Sequence, residues 1–404
     1  MPRPIAGLLF ALLAALPAAA QPDAPAKGAK APGPFDGRKE KAREQLVKDR
    51  GGSEASEKAV ADGLAWLAKA QQTDGSWVFD GTAKKEATAA TGMAVLAFVG
   101  AGETHTGKGK YAKTVRGGVT WLAKNQIVGG GNAGRLAKAD NMYGHAIGTL
   151  ALVEAYAVSK DRTLLGPAQS AVNFIQRAQG PNGSWGYQPG TKGDTSITGW
   201  QLQVLHAATL SKDIKVDPRV VKQAVAFLDA VAAGEKKEKY GYSDNAAAAA
   251  GTALTAIGLW SRHCFDGWKP TTPGMAAGVE GLMTRAPGGT TAQPRANTPV
   301  LEPYLYYYAT QVLFRHGGDE WKDWNEGPKA ADGTRKNGLR DWLVNTQVQK
   351  EGREFGSWDP SAVGYIGSQC GRVGTTAMWV LTLEVYYRYP PDSPEPKADP
   401  KKKP

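Results

Sequence analysis

Apolar residues recur along the chain in a helical pattern that repeats at nearly constant intervals. In five segments they fall at positions i, i+4 and i+7, which places them on one face of a helix. These sets are Val60, Leu64 and Leu67; Val115, Val119 and Leu122; Ala168, Val172 and Ile175; Val221, Val225 and Leu228; and Met275, Val279 and Leu282. A sixth copy, from Gly338 to Leu343, breaks the register at Arg340. Such one-sided helices are typical of an outer layer.

The copies are regularly spaced. Equivalent positions 66, 121, 174, 227, 281 and 342 lie 55, 53, 53, 54 and 61 residues apart, which is typical of a repeat architecture. A second, less polar helix follows each outer one. At one equivalent position these helices carry a small residue, namely Gly92, Gly148, Gly199, Gly251, Ala309 and Ala377. Glycine inside a helix costs roughly 0.5–1 kcal/mol relative to alanine, so we expect another element to approach closely there.

The two helix sets predict an all-α fold, a single α/α toroid with six inner and six outer helices. A superhelical solenoid is the alternative, but solenoids need polar capping repeats at their ends. The last inner helix, Thr375 to Tyr389, is strongly apolar and aromatic. We therefore expect the sixth pair to close onto the first.

The loops after the outer helices share a motif. Gln71 to Trp77 and Gln179 to Trp185 both read Gln, three residues, Gly, one residue, Trp. Gly356-Ser357-Trp358 and Tyr240-Gly241-Tyr242 are weaker copies. The motif resembles the Gln–Trp repeat of squalene and hopene cyclases and their prenyltransferase relatives, over residues 53 to 389. The resemblance implies the terpenoid-cyclase toroid fold, with the Trp rings buried between helices.

The resemblance carries over few chemical groups. Squalene-type cyclases use an Asp-x-Asp-Asp cluster at the start of an inner helix, where this chain has Asp194 alone. An Asp at a helix start is also a common N-cap. The prenyltransferase zinc pattern is not matched by His263, Cys264 and Asp266. We therefore expect no metal and no cofactor.

A ligand site is expected at one mouth of the ring. Parallel inner helices gather their N-termini there, which favours anionic groups. Asp194 is the candidate catalytic residue. The candidate binding residues are Tyr143, His145, Trp200, Asp244, Glu302, Tyr304, Tyr307, Arg372 and Trp379. The aromatic members either line an apolar funnel or fill the core.

The chain ends have a different composition. Residues 1–20 combine Arg3, a short apolar stretch and Ala18-Ala19-Ala20, the pattern of a secretory signal peptide. Residues 21–52 read as a flexible linker rich in Pro, Ala and Lys, and 390–404 as a disordered basic tail. We expect an exported protein, periplasmic or extracellular, with no integral membrane segment after signal cleavage. The net charge of +11 comes without a basic and aromatic stripe, so no nucleic-acid partner is expected.

Three functions remain open from the sequence. The first is an exported squalene-cyclase- or prenyltransferase-like protein that acts on or binds an isoprenoid or other apolar ligand in the toroid cavity. The second is a non-catalytic scaffold for a peptide or other protein partner, a lipid or a glycan. The third is a carbohydrate-active toroid enzyme. Whether the chain is an enzyme is left open, because fold alone does not decide it.

The two cysteines are expected to be free. Cys264 closes the fourth inner helix and Cys370 precedes the sixth, so parallel helices place them near opposite mouths. A helix of about 14–18 residues is roughly 21–27 Å long, whereas a disulfide needs a Cα separation of about 4.4–6.8 Å.

Overall fold

The computed structural model describes residues 33–83, 86–136, 141–287 and 301–390. The predicted signal peptide, residues 21–32 of the predicted linker and residues 391–404 of the predicted tail lie outside the described residues. Over the described residues the helices, in chain order, are α1 Glu40–Asp49, α2 Glu54–Ala70, α3 Ala87–Gly100, α4 Ala112–Lys124, α5 Met142–Ser159, α6 Leu165–Arg177, α7 Thr195–Ser211, α8 Pro218–Val231, α9 Ala253–Phe265, α10 Pro273–Met283, α11 Pro303–His316, α12 Gly318–Asn325, α13 Leu339–Thr346, α14 Gly364–Leu383 and α15 Val385–Arg388.

Short elements connect some of these helices. In the described part of the chain, three 3-10 helices span Asp36–Arg38, Arg162–Leu164 and Pro360–Ala362. Two antiparallel strands, β1 Ala232–Ala233 and β2 Lys239–Tyr240, pair Ala232 with Tyr240. Over the described residues, no helix combines the length and the apolarity needed to cross a membrane.

Six helices form a closed inner ring. Helices α3, α5, α7, α9, α11 and α14 each contact the next, and α14 contacts α3. The outer helices α2, α4, α6, α8 and α10 each pack between two consecutive inner helices, and α12 and α13 together complete the outer layer. The predicted α/α toroid is therefore confirmed, and the open solenoid is not what forms.

The pattern of burial separates the two layers. In α4 the predicted stripe Val115, Val119 and Leu122 is buried, whereas in α3 every residue from Thr88 to Gly100 is buried. One stripe differs from the prediction. In α8 the buried face is Val220, Ala224, Phe227 and Leu228, turned by about one residue because the large Phe227 ring packs inward.

Glycine allows the inner helices to touch, as expected. A Cβ on Gly92 of α3 would lie 2.8 Å from the backbone nitrogen of Gly148 on α5, a distance that side-chain atoms do not tolerate. Gly251 differs from the prediction, because it precedes α9 and has a φ of 66°. There the glycine serves a left-handed backbone conformation and not a helix contact.

The predicted flexible linker 21–52 needs correction over residues 33–52. Helix α1 packs against α15, and Arg38 is buried and lies 2.8 Å from the Glu154 carboxylate. Phe35 and Val47 join the core. The composition of the whole segment hid these few anchoring side chains, because Pro, Ala and Lys dominate it.

The sixth repeat is irregular for visible reasons. Arg340 donates a hydrogen bond of 2.7 Å to the carbonyl of Gly51, so the polar residue ties α13 to the segment just before the first repeat. Helix α14 is interrupted at Gly371, whose φ is 62° and ψ −155°. Cys370 is the last residue before this interruption, so it precedes the inner helical segment that follows Gly371, as expected.

The Gln–Trp loops bind three helices together. The rings of Trp77 and Trp185 have no exposed surface, and each indole nitrogen donates 2.8 Å to a carbonyl of the preceding outer helix, Leu67 or Ile175. The Gln71 amide donates 2.9 Å to the Thr114 carbonyl on the next outer helix. The two indoles thus bond carbonyls in the last turn of each outer helix, where α-helical partners run out.

Two further glutamines also donate to a carbonyl of another outer helix, although their loops lack the full motif. Gln126 donates to the Pro167 carbonyl and Gln347 to the Ala59 carbonyl. An inner-helix hydroxyl completes several junctions. In four loops a backbone nitrogen donates to a threonine hydroxyl on an inner helix. The pairs are Trp77 with Thr91, Trp185 with Thr198, Tyr240 with Thr255, and Trp358 with Thr376.

A buried charge network closes the mouth at the C-terminal ends of the inner helices. The Glu154 carboxylate accepts from Arg388 at 2.7 Å and from the Tyr389 hydroxyl at 2.6 Å, and it pairs with Arg38. Burial alone would raise the pKa of Glu154, but the two guanidinium groups hold it at about 2. Arg38 precedes the ring in sequence, and Arg388 and Tyr389 follow its last inner helix, so both chain segments bind the Glu154 carboxylate.

A second buried glutamate, Glu384, lies beside this network. Neither of its carboxylate oxygens has a hydrogen-bond partner among the described residues. Burial raises the pKa of Glu384 well above its ordinary value of 4.5, and the charges of Arg388, Arg43 and Arg38 only partly offset this. Glu384 is therefore neutral in the folded protein over a range where Glu154 is ionised.

Removing either buried Trp ring should destabilise the fold. We expect Trp77→Ala and Trp185→Ala each to lower the free energy of unfolding by about 3–5 kcal/mol, because each empties a fully enclosed site. Urea denaturation followed by circular dichroism measures this. The control is Trp66→Ala, since Trp66 is only partly buried. Losses below about 1 kcal/mol at both sites would contradict the packing described.

The two buried glutamates should respond oppositely to the same substitution. Glu154→Gln leaves two buried guanidinium groups without a carboxylate, so it should cost about 3–5 kcal/mol. Glu384→Gln removes a group that is protonated in the fold but ionises in the unfolded chain above its ordinary pKa of 4.5. The wild-type protein therefore loses stability as pH rises above that value, and the Glu384→Gln variant should gain relative to it. Urea unfolding at about pH 5 and pH 8 tests both, and a Glu384→Gln variant that is less stable than wild type at pH 8 would refute the neutral assignment.

Both cysteines are free thiols and should react slowly in the folded protein. Burial raises the pKa of Cys264 and of Cys370 to about 12, so little thiolate forms near neutral pH. A disulfide-exchange reagent should count two thiols in the unfolded, unreduced chain and label them far more slowly in the native one. A monomer with no reactive thiol after unfolding would mean that the two residues are joined.

Candidate functional site

Contacts between neighbouring inner helices bring their N-termini to one mouth of the ring. Asn141, the N-cap of α5, donates 3.0 Å to Glu86 at the start of α3. Tyr143 on α5 lies 2.5 Å from the Ser196 hydroxyl on α7. Across the ring, Glu302 at the start of α11 accepts from the first turn of α14. This mouth is the candidate functional site.

Asp194 is the N-cap of α7. Its Oδ1 accepts from the backbone nitrogens of Ser196 and Ile197 at 2.8 and 3.0 Å and from the Ser196 hydroxyl at 2.5 Å. The residue is almost fully buried. Capping explains these contacts, and the catalytic role of Asp194 stays a prediction.

Tyrosines surround Asp194. The rings of Tyr143 and Tyr187 lie 5.7 Å apart, the hydroxyls of Tyr187 and Tyr242 are separated by 3.5 Å, and the Tyr304 hydroxyl donates 3.0 Å to the Ser196 carbonyl. These four residues, Tyr143, Tyr187, Tyr242 and Tyr304, are called the tyrosine cluster below. Burial raises the pKa of Tyr143 and of Tyr242, and the nearby Asp194 charge adds to it. Their hydroxyls are therefore neutral donors.

The cluster presents aromatic surface to solvent. Tyr187 and Tyr242 are 52% and 45% exposed, and Tyr365, at the start of α14, is 69% exposed. Glu302 positions Tyr365 because its Oε2 accepts from the Tyr365 backbone nitrogen at 2.8 Å. Burial raises the pKa of Glu302, although these backbone contacts oppose the shift.

Other carboxylates lie near the first turns of α14. Asp80 accepts from the Val373 backbone nitrogen at 3.1 Å. Burial raises the pKa of the Cys370 thiol, and Glu302, Glu86 and Asp80 add to the effect. The mouth is thus acidic as well as aromatic. Among the residues that the structure describes, no three His, Cys, Asp or Glu side chains are placed to hold a metal ion.

The predicted funnel residues lie inside the ring. The Trp200 ring stacks on Tyr304 and Tyr307, with centroids 6.2 and 5.7 Å apart and interplanar angles of 20° and 17°. Trp200 is 2% exposed and Tyr307 is 1% exposed. The Tyr307 hydroxyl accepts from Arg388 and donates to Gln203. In this structure the three rings pack on one another and fill the interior.

Four other predicted binding residues have their contacts elsewhere. His145 is buried, and its Nδ1 accepts from the Leu136 backbone nitrogen, while burial lowers its pKa to about 3. Arg372 pairs with Glu354 at 3.1 Å and donates to the Trp358 carbonyl. Trp379 packs against Trp342 of α13, and the exposed Asp244 accepts from a nearby backbone nitrogen.

Tyr187, Tyr242 and Tyr365 were not predicted. A signal for the first two was present, because each stands two residues after a buried aromatic of a repeat loop, in Trp185-Gly186-Tyr187 and Tyr240-Gly241-Tyr242. The repeated Gly-Tyr step places the second ring outside when the first is buried. Tyr365 has no such repeat equivalent, since it lies on the extension of α14 before Gly371.

No protein-family model matches the sequence, and no curated protein matches it. Solved structures do match. An inactive variant of the α-1,6-mannanase GH76A of Salegentibacter sp. HEL1_6, in complex with α-1,6-mannotetrose, has a TM-score of 0.53 at 10% identity, over 83% of this chain and 99% of that one. An α-amylase from Clostridium perfringens has a TM-score of 0.51 at 10% identity, over 81% and 97%.

A type II terpene cyclase, MstE from Scytonema, also matches, with a TM-score of 0.48 at 14% identity over 82% of this chain and 98% of that one. At identities this low, structural similarity shows the fold alone. The similarity to the mannanase and to the amylase supports that assignment of the fold. The chain therefore has the α/α-toroid fold that the Gln–Trp resemblance implied.

Proposed function

We propose that this chain is an exported α/α-toroid protein that binds an oligosaccharide at the mouth formed by the N-termini of its inner helices. The observation that carries the proposal is the tyrosine cluster around Asp194, together with Tyr365. Among the described residues, the strongly exposed large hydrophobic side chains are Val78, Val128, Tyr187, Tyr242 and Tyr365. Three of these five are tyrosines of this one mouth.

Tyrosine suits a sugar ligand for a physical reason. Its ring offers a flat apolar face, and its hydroxyl offers a hydrogen bond at the edge. A sugar ring has apolar faces and a polar circumference, so stacking and hydroxyl contacts can be made together. Glu302, whose Oε1 has no hydrogen-bond partner among the described residues, adds a polar group beside the rings, as sites with few convergent polar groups do.

The fold comparisons are compatible with this ligand class. The mannanase was solved in complex with α-1,6-mannotetrose, and the second match is an α-amylase. The mannanase variant is inactive with two adjacent Asp residues replaced. This chain has no two consecutive Asp residues in its sequence. We therefore propose that the chain binds an oligosaccharide, and we treat hydrolysis of the oligosaccharide as the alternative outcome of the experiment.

Hydrolysis is the second candidate, and one observation favours it. Glycosidases pair a protonated carboxyl with an ionised one. Burial raises the pKa of Glu302, as such an acid requires. An isoprenoid in the ring interior is less favoured, because it would have to displace the stacked rings of Trp200, Tyr304 and Tyr307. Export rests on the sequence of residues 1–20, which lie outside the described residues.

Binding should depend on the exposed rings. We expect α-1,6-manno-oligosaccharides or maltooligosaccharides to bind in isothermal titration calorimetry. Tyr187→Ala and Tyr365→Ala should each weaken the association by about fivefold or more, since a stacked ring contributes roughly 1 kcal/mol. Tyr187→Phe and Tyr365→Phe keep the ring and should retain most of the affinity.

The outcomes separate the candidates. Release of reducing ends that Glu302→Gln abolishes would identify a hydrolase. Binding of squalene or a prenyl diphosphate, with no oligosaccharide bound, would reject the glycan proposal. Trp66→Phe, on an outer helix, is the aromatic control and should leave oligosaccharide affinity unchanged.

A further inference from the structure

The first turns of α14, residues 364–370, are separated from the rest of the helix by Gly371. These residues are called the α14 extension below. At Gly371 the φ of 62° and ψ of −155° define a conformation that is essentially restricted to glycine. Gly364, at the other end of the extension, also has a positive φ, 55°. A permissive backbone position thus stands at each end, as in segments that change direction about a hinge.

The α14 extension bridges the starts of the two inner helices that flank α14. The backbone nitrogen of Tyr365 donates 2.8 Å to Glu302, just before α11. The Ser368 carbonyl accepts from the backbone nitrogen of Thr82 at 2.9 Å, in the loop before α3, and the next residue on each strand of chain makes the same bond at 2.8 Å. The extension therefore lies on the rim of the tyrosine-lined mouth.

Tyr365 points from this rim toward the tyrosine cluster. Its side chain is 69% exposed. Burial is the main cause that raises the pKa of Tyr143 on α5, and Tyr365 is among the groups that add to it. Helix α5 is two positions round the ring from α14, so the Tyr365 ring reaches across part of the mouth.

The α14 extension is held more weakly than the helix behind it. Its buried apolar side chains are Ile366 and Cys370, which are 9% and 8% exposed, and its bonds to the starts of α11 and α3 lie at exposed positions. Beyond Gly371, every residue from Val373 to Leu383 is buried. Segments with few buried apolar contacts and exposed hydrogen bonds open at a lower free energy than the whole fold. Any such opening ends at Gly371.

We propose that the α14 extension is a lid that turns about Gly371, so that Tyr365 leaves the mouth to admit a ligand and then returns over it. The bond from the Tyr365 backbone to Glu302 holds the closed position. Opening breaks this bond and uncovers Cys370. The inference rests on the proposed function in one respect, because the ligand on which the lid closes is the oligosaccharide proposed above.

The native thiol of Cys370 reports the position of the lid, because it is buried next to the hinge. Labelling with N-ethylmaleimide in increasing urea, followed by mass spectrometry of the cysteine peptides, measures the rate at which it becomes accessible. We expect slow labelling that hardly changes with urea below the unfolding transition, since lid opening exposes little surface. Cys264, at the far end of α9, is the internal control in every sample.

Two variants should favour the open lid. A Cβ on Gly371 would lie 2.5 Å from the backbone nitrogen of Gly81, so Gly371→Ala should speed Cys370 labelling by about tenfold or more. Glu302→Ala removes the acceptor that holds the lid and should speed it by about fivefold. The matched control is Gly317→Ala. Gly317 has nearly the same backbone conformation, φ 74° and ψ −155°, but lies at the other end of α11, so its variant should leave the Cys370 rate unchanged.

A bound oligosaccharide should slow the labelling of Cys370 and leave that of Cys264 unchanged. If no oligosaccharide binds, the proposed function fails, whereas the ligand-free rates still establish the lid.

Three results would overturn the lid. The first is labelling of Cys370 only through global unfolding, with the urea dependence of the whole protein. The second is equal acceleration by Gly317→Ala and Gly371→Ala. The third is an oligosaccharide that binds at the mouth without changing the Cys370 rate.

Discussion

The junction at each Gln–Trp loop is the interaction on which the toroid depends. A Trp indole donates to a carbonyl of its own outer helix, the Gln amide donates to a carbonyl of the next outer helix, and an inner-helix hydroxyl accepts from the loop backbone. One short loop therefore fixes three helices, and its indole bonds a carbonyl in the last turn of its own outer helix, where helical partners run out. The ring closes because the last of these loops makes the same bond to the first repeat, from Gln347 to Ala59.

The candidate site is built on the same junctions. Trp185 is buried between helices, and its backbone pairs with Asp194 at the start of α7. Two residues further, Tyr187 faces solvent. The rigid, buried ring thus determines where the exposed ring and the carboxylate lie. Tyr187 and Tyr242 lie on loops that a rigid scaffold positions, and for Tyr187 the scaffold contact and the site share the ten-residue loop from Trp185 to Asp194.

The periodic part of the architecture could be predicted from sequence, because one-sided and all-round apolar helices differ in pattern. The stripes of α2, α4, α6 and α10 follow from this difference, and the burial of Trp77 and Trp185 follows from the Gln–Trp resemblance. Residues that act through distant partners could not be predicted. In the sequence Arg38 is only a charged residue of the predicted linker, and its ion pair with Glu154 is visible only in the fold. Arg340 only interrupts the apolar register, and its bond to the Gly51 carbonyl is visible only in the fold. The exposed tyrosines were missed because hydrophobic pattern identifies what is buried and says little about which rings stay outside.

Ring closure also constrains the order of folding. The bond from Gln347 to Ala59 spans 288 residues, and that from Arg38 to the Arg388 carbonyl spans 350. Neighbouring repeats can pack as soon as they exist, but the edges of α2 and α3 stay open until α13, α14 and α15 arrive. An arc made of the first five repeats alone would expose two apolar edges, and such exposed surfaces favour association with other chains. A chain that stops before the last repeat loses the contacts that close the ring, and not only one sixth of the structure. Tolerance to truncation at the C-terminus should therefore be far lower than in an open repeat array, where each unit needs only its neighbours.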